Sequence, residues 1–234
     1  MRLESFDMKK LSHSPAARSP KETVGDAIDR CAAALEAAGV HFGHGTDNAR
    51  DEAAELVFFS AGIAHARGAR AYPRTLAPAA RRSIAALLRR RIAERIPLAY
   101  LTHRAFFAGM ELYVDRRVLV PRSPIAELVL QRFAPWISPR RVRRVLDLGA
   151  GSGAIALACA RAFPRARVDA VDVSPGALAV CRRNVRKLRL AARVDVLRSD
   201  HFDSVAGRRY DIIVSNPPYV GRKEMRTLPP EYRH

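Results

Sequence analysis

Residues 142–163 read VRRVLDLGAGSGAIALACARAF, and they carry the clearest structural pattern in the chain. Its first part, residues 142–149, is an apolar run typical of a buried strand. Residues 154–163 are small and apolar at the spacing of a buried helix. The glycines between them permit a sharp turn and let a ligand approach the backbone closely. The stretch therefore predicts a strand, a glycine-rich loop and a helix, in the order used by ligand-binding α/β folds.

The alternation of strand and helix continues along the chain. Residues 166–173 and 193–200 predict two further strands, and the helix between them is predicted to start at Ser174 and Pro175. YDIIVS at 210–215 predicts a fourth strand. Because alternating units with apolar strands form open parallel sheets, we predict an α/β fold with a Rossmann-like sheet.

The first half of the chain has a different pattern. Residues 21–39 and 76–95 place apolar residues at helical spacing, and a helix between them is predicted to begin at Thr46 or Asn48. In residues 76–95 we expect leucine and isoleucine to point inward and arginine outward. Residues 1–20 have no apolar core of the signal-peptide type, and we interpret them as a disordered leader.

Residues 99–120 connect the two halves. FFAGMELYV and RRVLV alternate like strands, and Asp115 with Arg116 provides the turn, which predicts a β-hairpin. We therefore divide the chain into a leader (1–20), a helical substrate-recognition domain (21–98), the hairpin (99–120) and an α/β domain (121–234).

Composition indicates a cytoplasmic globular protein. The chain is 48% hydrophobic and 27% charged, which is ordinary for a soluble protein. No apolar run approaches the roughly 18–20 residues of a membrane span, so we expect no membrane contact. Cys31, Cys159 and Cys181 are far apart and form no CxxC pair, so we expect neither a metal site nor a disulfide.

The net charge of +18 favours contact with RNA, DNA or ribosomes. Only five of the 41 basic residues are lysine, and alanine is abundant, a skew that a GC-rich genome also produces. Most of the basic excess lies in residues 101–234. Since charge alone supports only non-specific binding, a functional and a compositional origin both stay open, with non-specific RNA contact as the functional one.

Three carboxylates lie near the carboxyl ends of successive predicted strands, where ligands bind in open α/β sheets. Asp147 precedes the first glycine and can sit near the cationic methionine end of S-adenosylmethionine. Asp172 can accept both ribose hydroxyls, and Asp200 can accept from the adenine amino group. A glycine loop alone also fits a dinucleotide fingerprint, but the three acids favour S-adenosylmethionine. The predicted cofactor residues are Asp147, Gly149, Gly151, Gly153, Asp172, Asp200 and Asn216.

VSNPPYV at 214–220 ends the fourth predicted strand, beside the expected position of the cofactor's methyl group. Asn216 offers a side-chain carbonyl, and Pro217, which has no N–H, leaves only a backbone acceptor. Acceptors on both N–H bonds of a planar nitrogen favour the charge that builds there during attack. With Pro218 completing the run and Tyr219 stacking on the flat group, the motif predicts methyl transfer to a planar nitrogen without a metal.

DLGAGSG followed by NPPY resembles the class I methyltransferases that act on planar nitrogens. The helical domain, the hairpin and VPRSPI narrow the resemblance to the protein-glutamine methyltransferases, the relatives of HemK and PrmC. FGHGTDNARDEA and LPPEYRH, with Ser-Pro-Ile after Pro-Arg, are similar to the PrmB type. That type methylates a glutamine of large-subunit ribosomal protein three.

The resemblance implies a class I methyltransferase fold and S-adenosylmethionine as cofactor. It places Asp172, Asp200 and His201 at the cofactor and residues 216–219 at the substrate glutamine. It also places Arg122 near the site, where a surface role is equally open. The family's sheet has seven strands and this sequence predicts four, so we expect a C-terminally truncated domain whose fourth strand is an apolar edge and whose activity is in doubt.

Three alternatives stay open at this point. A release-factor glutamine methyltransferase shares the same overall pattern. A DNA or RNA amino-group methyltransferase shares the Asn-Pro-Pro-aromatic chemistry, and the positive charge favours it. An inactive, truncated ribosome-binding remnant is the non-enzymatic reading.

Overall fold

The computed structural model describes residues 21–43, 45–217 and 227–233. The predicted leader, residues 1–20, lies outside these ranges. The described chain forms a helical domain, a short hairpin and an α/β domain. None of its helices has the length and apolar character needed to cross a bilayer.

The helical domain contains four α-helices and one 3-10 helical segment. Asn48, one of the two predicted caps, starts the second helix by accepting the main-chain N–H of Asp51 at 2.8 Å. The first helix begins with a capping box in which the Thr23 and Asp26 side chains bond to each other's main-chain N–H. The elements are α1 (Val24–Ala37), α2 (Ala49–Ser60), the 3-10 segment (His65–Ala71), α3 (Pro78–Ala93) and α4 (Leu98–Thr102).

Arg91 on α3 is buried, so the prediction that the arginines of this helix point outward is wrong at this position. Its side chain is 1% exposed, and it continues the buried helix face of Ile84 and Leu88. Its guanidinium is held by Glu52 (Nε to Oε1, 2.5 Å), by Glu231 (Nη1 to Oε1, 3.2 Å) and by the His41 carbonyl (2.7 Å). We call these four residues the Arg91 cluster. Burial is tolerated because each side of the guanidinium has an acceptor.

Glu231 joins this cluster from the far end of the described chain. It lies in a 3-10 turn, Pro230–Arg233, and its carboxylate also accepts the main-chain N–H of His41 at 3.0 Å. The described residues 227–233 are therefore held against the helical domain through Glu231.

The hairpin is shorter than predicted, and its turn lies elsewhere. Strands β1 (Ala105–Phe107) and β2 (Met110–Leu112) pair antiparallel. The turn is Ala108–Gly109, with φ of 46° and 70°, because a two-residue hairpin loop of this kind needs positive φ at both positions. A turn does begin at Asp115, where the Val118 N–H donates to the Asp115 carbonyl at 3.1 Å, but it does not join two strands. The residues from 113 to 120 form no strand and connect the hairpin to the α/β domain through this turn.

The α/β domain has the predicted parallel sheet. Its four strands have the order β5-β4-β3-β6. The strands are β3 (Arg144–Leu148), β4 (Arg167–Asp172), β5 (Val194–Arg198) and β6 (Ile212–Ser215). The helices are α5 (Ile125–Leu130), α6 (Ala154–Ala162) and α7 (Pro175–Lys187), with a 3-10 turn at Asp203–Val205. Ser174 caps α7 as predicted, by accepting the main-chain N–H of Ala177 at 3.3 Å.

Because all its strands run in the same direction, the sheet has two chemically different edges, one at each end of the strands. All four strands are parallel, so their carboxyl ends meet at one edge, the carboxyl edge, and their amino ends at the opposite one, the amino edge. Within the described chain β6 pairs with β3 alone. Ile212 and Val214 of β6 are buried, whereas Ile213 is 53% exposed. Among the described strands, β6 therefore lies at one side of the sheet with Ile213 exposed.

Candidate functional site

A cavity of about 700 Å³ opens at the carboxyl edge of the sheet. Its floor is the glycine loop after β3, and one side is formed by the ends of β4, β5 and β6. The connection from the hairpin, residues 117–123, forms the opposite wall. Of the residues predicted for the site, the cavity is lined by Arg122, Gly149, Gly151, Asp172, Asp200, His201, Asn216 and Pro217.

The glycine loop presents bare main chain to this cavity. Gly149 and Gly151 have φ of +71° and +54°, which L side chains rarely adopt. A Cβ built at either position would meet nothing within 4 Å, so the absent side chains leave open space rather than a packed contact. The requirement at both positions is conformational, and it creates room for a ligand against the loop.

Gly153 has a different role from the one predicted. It also has positive φ, +81°, but it does not line the cavity. A Cβ there would come within 2.6 Å of the Cys181 Sγ on α7. The prediction that Gly153 contacts the cofactor is therefore replaced by close packing of α6 against α7.

Asp147 is placed inside the protein rather than in the cavity. It is 1% exposed, and its Oδ2 accepts the main-chain N–H of Ala156 at 2.8 Å, in the first turn of α6. Its Oδ1 is buried with no hydrogen-bond partner among the described residues. Burial raises the pKa of Asp147 to about 7. The predicted direct contact with the methionine end is thus not what the structure shows; Asp147 holds the glycine loop to α6.

This buried carboxyl gives a testable pH dependence. Between about pH 4 and pH 7 the folded chain keeps a proton on Asp147 that the unfolded chain, with a pKa of about 3.9, releases. The wild type should therefore lose stability relative to Asp147→Asn as the pH rises, by roughly 1.4 kcal/mol per unit. Thermal melts of both proteins should show a difference in Tm that widens up to about pH 7 and is then constant. A difference independent of pH would contradict the assignment.

Asp172 connects the glycine loop to the start of α7. Its Oδ2 accepts the main-chain N–H of Gly151, and its Oδ1 accepts that of Ser174, each at 2.9 Å. A carboxylate has about four lone-pair sites, so two acceptor positions are left for a ligand in the cavity. The carboxylate is fixed by these contacts before any ligand arrives.

Asp200 and His201 lie at the mouth of the cavity. Their side chains are mostly exposed, and His201 Nδ1 lies 2.6 Å from Asp200 Oδ1. His201 has φ of +44°, so the chain turns sharply here just beyond the end of β5. The pair borders the cavity from an exposed position, whereas the Asp172 carboxylate is held by two main-chain N–H groups.

Asn216 follows β6 directly, and a serine meets it from the opposite wall. The Ser123 hydroxyl donates to Asn216 Oδ1 at 3.4 Å. Ser123 was missed as a site residue. Its only signal in the sequence is the PRSPI run, because no spacing relates two residues 93 positions apart. Pro217 lines the cavity beside Asn216, while Pro218 and Tyr219 lie outside the described residues.

Arg122 joins the cavity to the helical domain. Its Nη1 donates to the Gly43 carbonyl at 2.9 Å, and its Nη2 lies 3.8 Å from Asp47 Oδ1. The connection between the domains is thus held on both sides, by Arg122 towards the helical domain and by Ser123 towards β6.

The site offers main-chain donors, the fixed carboxylate of Asp172, the exposed carboxylate of Asp200 and the amide of Asn216. Across residues 21–43, 45–217 and 227–233, no three His, Cys, Asp or Glu side chains are grouped in a way that could hold a metal ion. All three cysteines are buried. The chemistry available in the cavity is that of hydrogen bonding to a polar ligand and to a planar nitrogen group.

Comparison with known proteins identifies relatives of this arrangement. Residues 126–228 match the family described as Methyltransferase small domain. A ribosomal protein uL3 glutamine methyltransferase of Xanthomonas campestris is 45% identical over 94% of this chain and 71% of the relative. One of the same name from Bordetella pertussis is 44% identical over 93% of this chain and 73% of the relative. A delta-N METTL16 MTase domain matches 50% of this chain and 57% of that structure, with 18% identity and a TM-score of 0.42.

Proposed function

The chain belongs to the family of the ribosomal protein uL3 glutamine methyltransferases, and we propose that it transfers a methyl group from S-adenosylmethionine to the side-chain amide nitrogen of a glutamine in uL3, large-subunit ribosomal protein three. One observation carries the proposal. A single cavity brings together the glycine loop, the carboxylates of Asp172 and Asp200, and the amide of Asn216.

The residues at the carboxyl edge fit S-adenosylmethionine. The loop at Gly149 and Gly151 leaves open space for a ligand, and Asp172 keeps acceptor positions for two ribose hydroxyls. Asp200 is the acceptor for the adenine amino group, and His201 borders it. When bound, S-adenosylmethionine supplies a methyl group on a sulfonium, which is reactive towards weak nucleophiles.

Asn216 and Pro217 hold the amide nitrogen of the substrate glutamine. An amide nitrogen is a poor nucleophile because its lone pair is delocalised, so the chain must favour the charge that builds there. The Asn216 side-chain carbonyl and the Pro217 main-chain carbonyl accept the two N–H bonds. Ser123 orients the Asn216 amide by donating to its oxygen. We propose that Pro218 completes the turn and that Tyr219 stacks on the face of the substrate amide.

The helical domain supplies the surface that recognises uL3. A second cavity, of about 360 Å³, lies between this domain and the hairpin, and Val120 and Pro121 line both cavities. Its walls combine phenylalanines with carboxylates, including Phe59, Phe106 and Glu55. A peptide that places its glutamine at Asn216 can therefore continue over Pro121 into the second cavity, where it would contact the helical domain.

Replacing Asp172 tests the cofactor contact. Charge-assisted hydrogen bonds contribute about 1.5–3 kcal/mol, so Asp172→Ala should weaken S-adenosylmethionine binding by roughly 10- to 150-fold. Isothermal calorimetry measures the change, and a thermal melt checks that the variant is folded. Asp195→Ala removes an exposed carboxylate near the other edge of the sheet and serves as the matched control. Unchanged affinity in folded Asp172→Ala would remove this residue from the site.

The substrate is tested by offering radiolabelled S-adenosylmethionine with uL3, a release factor or DNA in separate reactions. We expect label on a glutamine of uL3, which would be the result for an enzyme acting in the cytoplasm on a component of the large subunit. Label on the release factor or on DNA alone would support one of the other methyltransferase assignments. No label with any acceptor, despite measurable cofactor binding, would support a non-enzymatic role.

A further inference from the structure

Each strand of the parallel sheet either begins with an arginine or is preceded by arginines in the connection that leads into it. The connections into the strands carry eight arginines, and two strands also begin on arginine. Because parallel strands share their amino edge, residues that are scattered in the sequence meet on one surface. We call this surface the arginine edge; it consists of Arg140, Arg141, Arg143, Arg144, Arg165, Arg167, Arg189, Arg193, Arg208 and Arg209.

Main-chain contacts show that this surface is continuous. Arg144 and Arg167 are register partners on β3 and β4, and the Arg167 N–H donates to the Arg143 carbonyl at 2.9 Å. The Val168 N–H donates to the Arg193 carbonyl at 2.8 Å, which brings in the entry to β5. Since neighbouring strands lie about 4.8 Å apart, the arginine-bearing entries to β3, β4 and β5 are adjacent on this surface.

Most of this charge is not neutralised. Within the part of the chain that the structure describes, only Arg167 and Arg208 of this surface have a carboxylate oxygen within 4 Å, at 3.8 Å and 2.8 Å. Asp211 lies at the same edge, but it accepts the main-chain N–H groups of Arg143 and Arg144 rather than their guanidinium groups. Adjacent unpaired like charges destabilise a sheet, so their accumulation calls for another explanation.

Helix dipoles account for only part of the pattern. Helices α6 and α7 end at the amino edge, and basic residues near helix carboxyl ends stabilise by about 0.3–1 kcal/mol. That argument covers Arg165, Arg189 and the half-buried Arg193, whose Nη1 donates to the Ala160 carbonyl at the end of α6. It does not cover Arg144 or Arg209, which precede or begin strands without following an α-helical last turn.

We propose that the arginine edge binds RNA through its phosphates, as a second binding surface opposite the methyl-transfer cavity. Guanidinium forks match phosphate oxygens bidentately, and the row is almost free of lysine. Trp136, 73% exposed, lies in the same segment that enters β3 and provides a face on which a base can stack. A stacking platform beside arginines favours single-stranded RNA over an anionic lipid surface. The inference does not depend on the proposed function, although RNA surrounds any ribosomal protein substrate during assembly.

The salt dependence of binding tests the phosphate contacts. Fluorescence anisotropy with a labelled oligouridylate measures the Kd of the full chain over a series of KCl concentrations. The triple variant R144Q/R165Q/R167Q should lower the log–log slope by about 2, since each lost phosphate contact removes about 0.7 for a single strand. If the plots of log K against log[KCl] for the variant and the wild type converge near 1 M, the variant should bind roughly 100-fold more weakly than the wild type at about 0.1 M KCl.

A matched variant separates this surface from the overall charge. R81Q/R82Q/R89Q removes three exposed arginines from α3, far from the sheet, and the slope should change by much less. Equal slopes in the two triple variants would overturn the proposal and leave the charge as compositional. W136A should weaken binding by roughly 5- to 150-fold at an unchanged slope, because it removes stacking and no charge.

Two further outcomes bear on the partner and on the substrate assignment. Binding to vesicles rich in phosphatidylserine that equals RNA binding, and is lost in the same variants, would overturn RNA as the partner. Methylation of isolated uL3 should be unchanged in R144Q/R165Q/R167Q, because this edge lies opposite the cavity. If even the wild type does not methylate uL3, the proposed function is wrong. The RNA proposal is decided separately, by the salt dependence of RNA binding in the two triple variants.

Discussion

Replacing Asn216 with alanine is expected to lower turnover on uL3 by about 10²–10³, the scale for losing one preorganised polar partner of the transition state. The expectation follows from where the structure holds this side chain. Asn216 is attached to the end of β6, which pairs with β3 immediately before the glycine loop. The Ser215 hydroxyl donates to the Leu148 carbonyl at 3.0 Å and fixes the spacing between the two ends. Asn216 is therefore set at a constant distance from the cofactor loop.

The effect should fall on kcat rather than on cofactor affinity. If the acceptors tighten as charge builds on nitrogen, their loss raises the barrier and leaves ground-state binding largely intact. Asn216→Asp keeps an acceptor oxygen and should retain more turnover than Asn216→Ala. Single-turnover rates with labelled S-adenosylmethionine, together with its Kd, separate the two effects. Near-normal turnover in Asn216→Ala would exclude this mechanism and leave VSNPPYV as a strand-ending turn.

Replacing Arg91 with alanine is expected to unfold the helical domain or to lower its stability by about 3–5 kcal/mol, because two buried carboxylates lose the guanidinium between them and only the more distant Arg95, 3.5 Å from Glu231, is left beside them among the described residues. Glu52 and Glu231 both contact this guanidinium, and both side chains are almost fully buried. For a chain of this size the change corresponds to a fall in Tm of roughly 6–20 °C.

Arg90 provides a matched control one position away on the same helix. Its partner is Glu94, both side chains are about half exposed, and such a surface pair contributes about 0.3–0.5 kcal/mol. Differential scanning calorimetry of Arg90→Ala should therefore show a Tm within about 2 °C of wild type. Equal Tm values for the two alanine variants would contradict the account of the Arg91 cluster. Replacing all three charged members with apolar residues should be far milder than removing Arg91 alone.

The fold could be predicted because its signals are local. The glycine loop, the apolar strands and the caps at Asn48 and Ser174 each depend on a few neighbouring residues. The hairpin was placed wrongly because its turn, Ala108–Gly109, lies inside a run that alternates as one strand would. The alternation of apolar and polar residues does not by itself reveal that one continuous stretch folds back to form two strands.

The site was predictable to the extent that its residues end strands. Asp172, Asp200 and Asn216 lie at one edge because parallel strands bring their carboxyl ends together. The prediction for Asp147 differs from the structure, because its position within β3 turns the side chain inward, towards the main-chain N–H of Ala156. The Arg91 cluster could not be predicted as a whole, because it joins residues from opposite ends of the described chain. The signal that the outward prediction overlooked is the helix phase of Arg91, which lies on the same face as Ile84 and Leu88.

The strand order also sets the sequence of events during synthesis. β3, β4 and β5 pair with near neighbours in the chain, and α6 and α7 pack on them, so this half can form from local contacts as it leaves the ribosome. From β5 the chain crosses β4 and β3 to place β6 on the far side of β3, and β6 is made last of the four. The nascent protein thus completes the strands that carry the glycine loop and Asp172 first, and Asn216 reaches the cavity only when β6 docks.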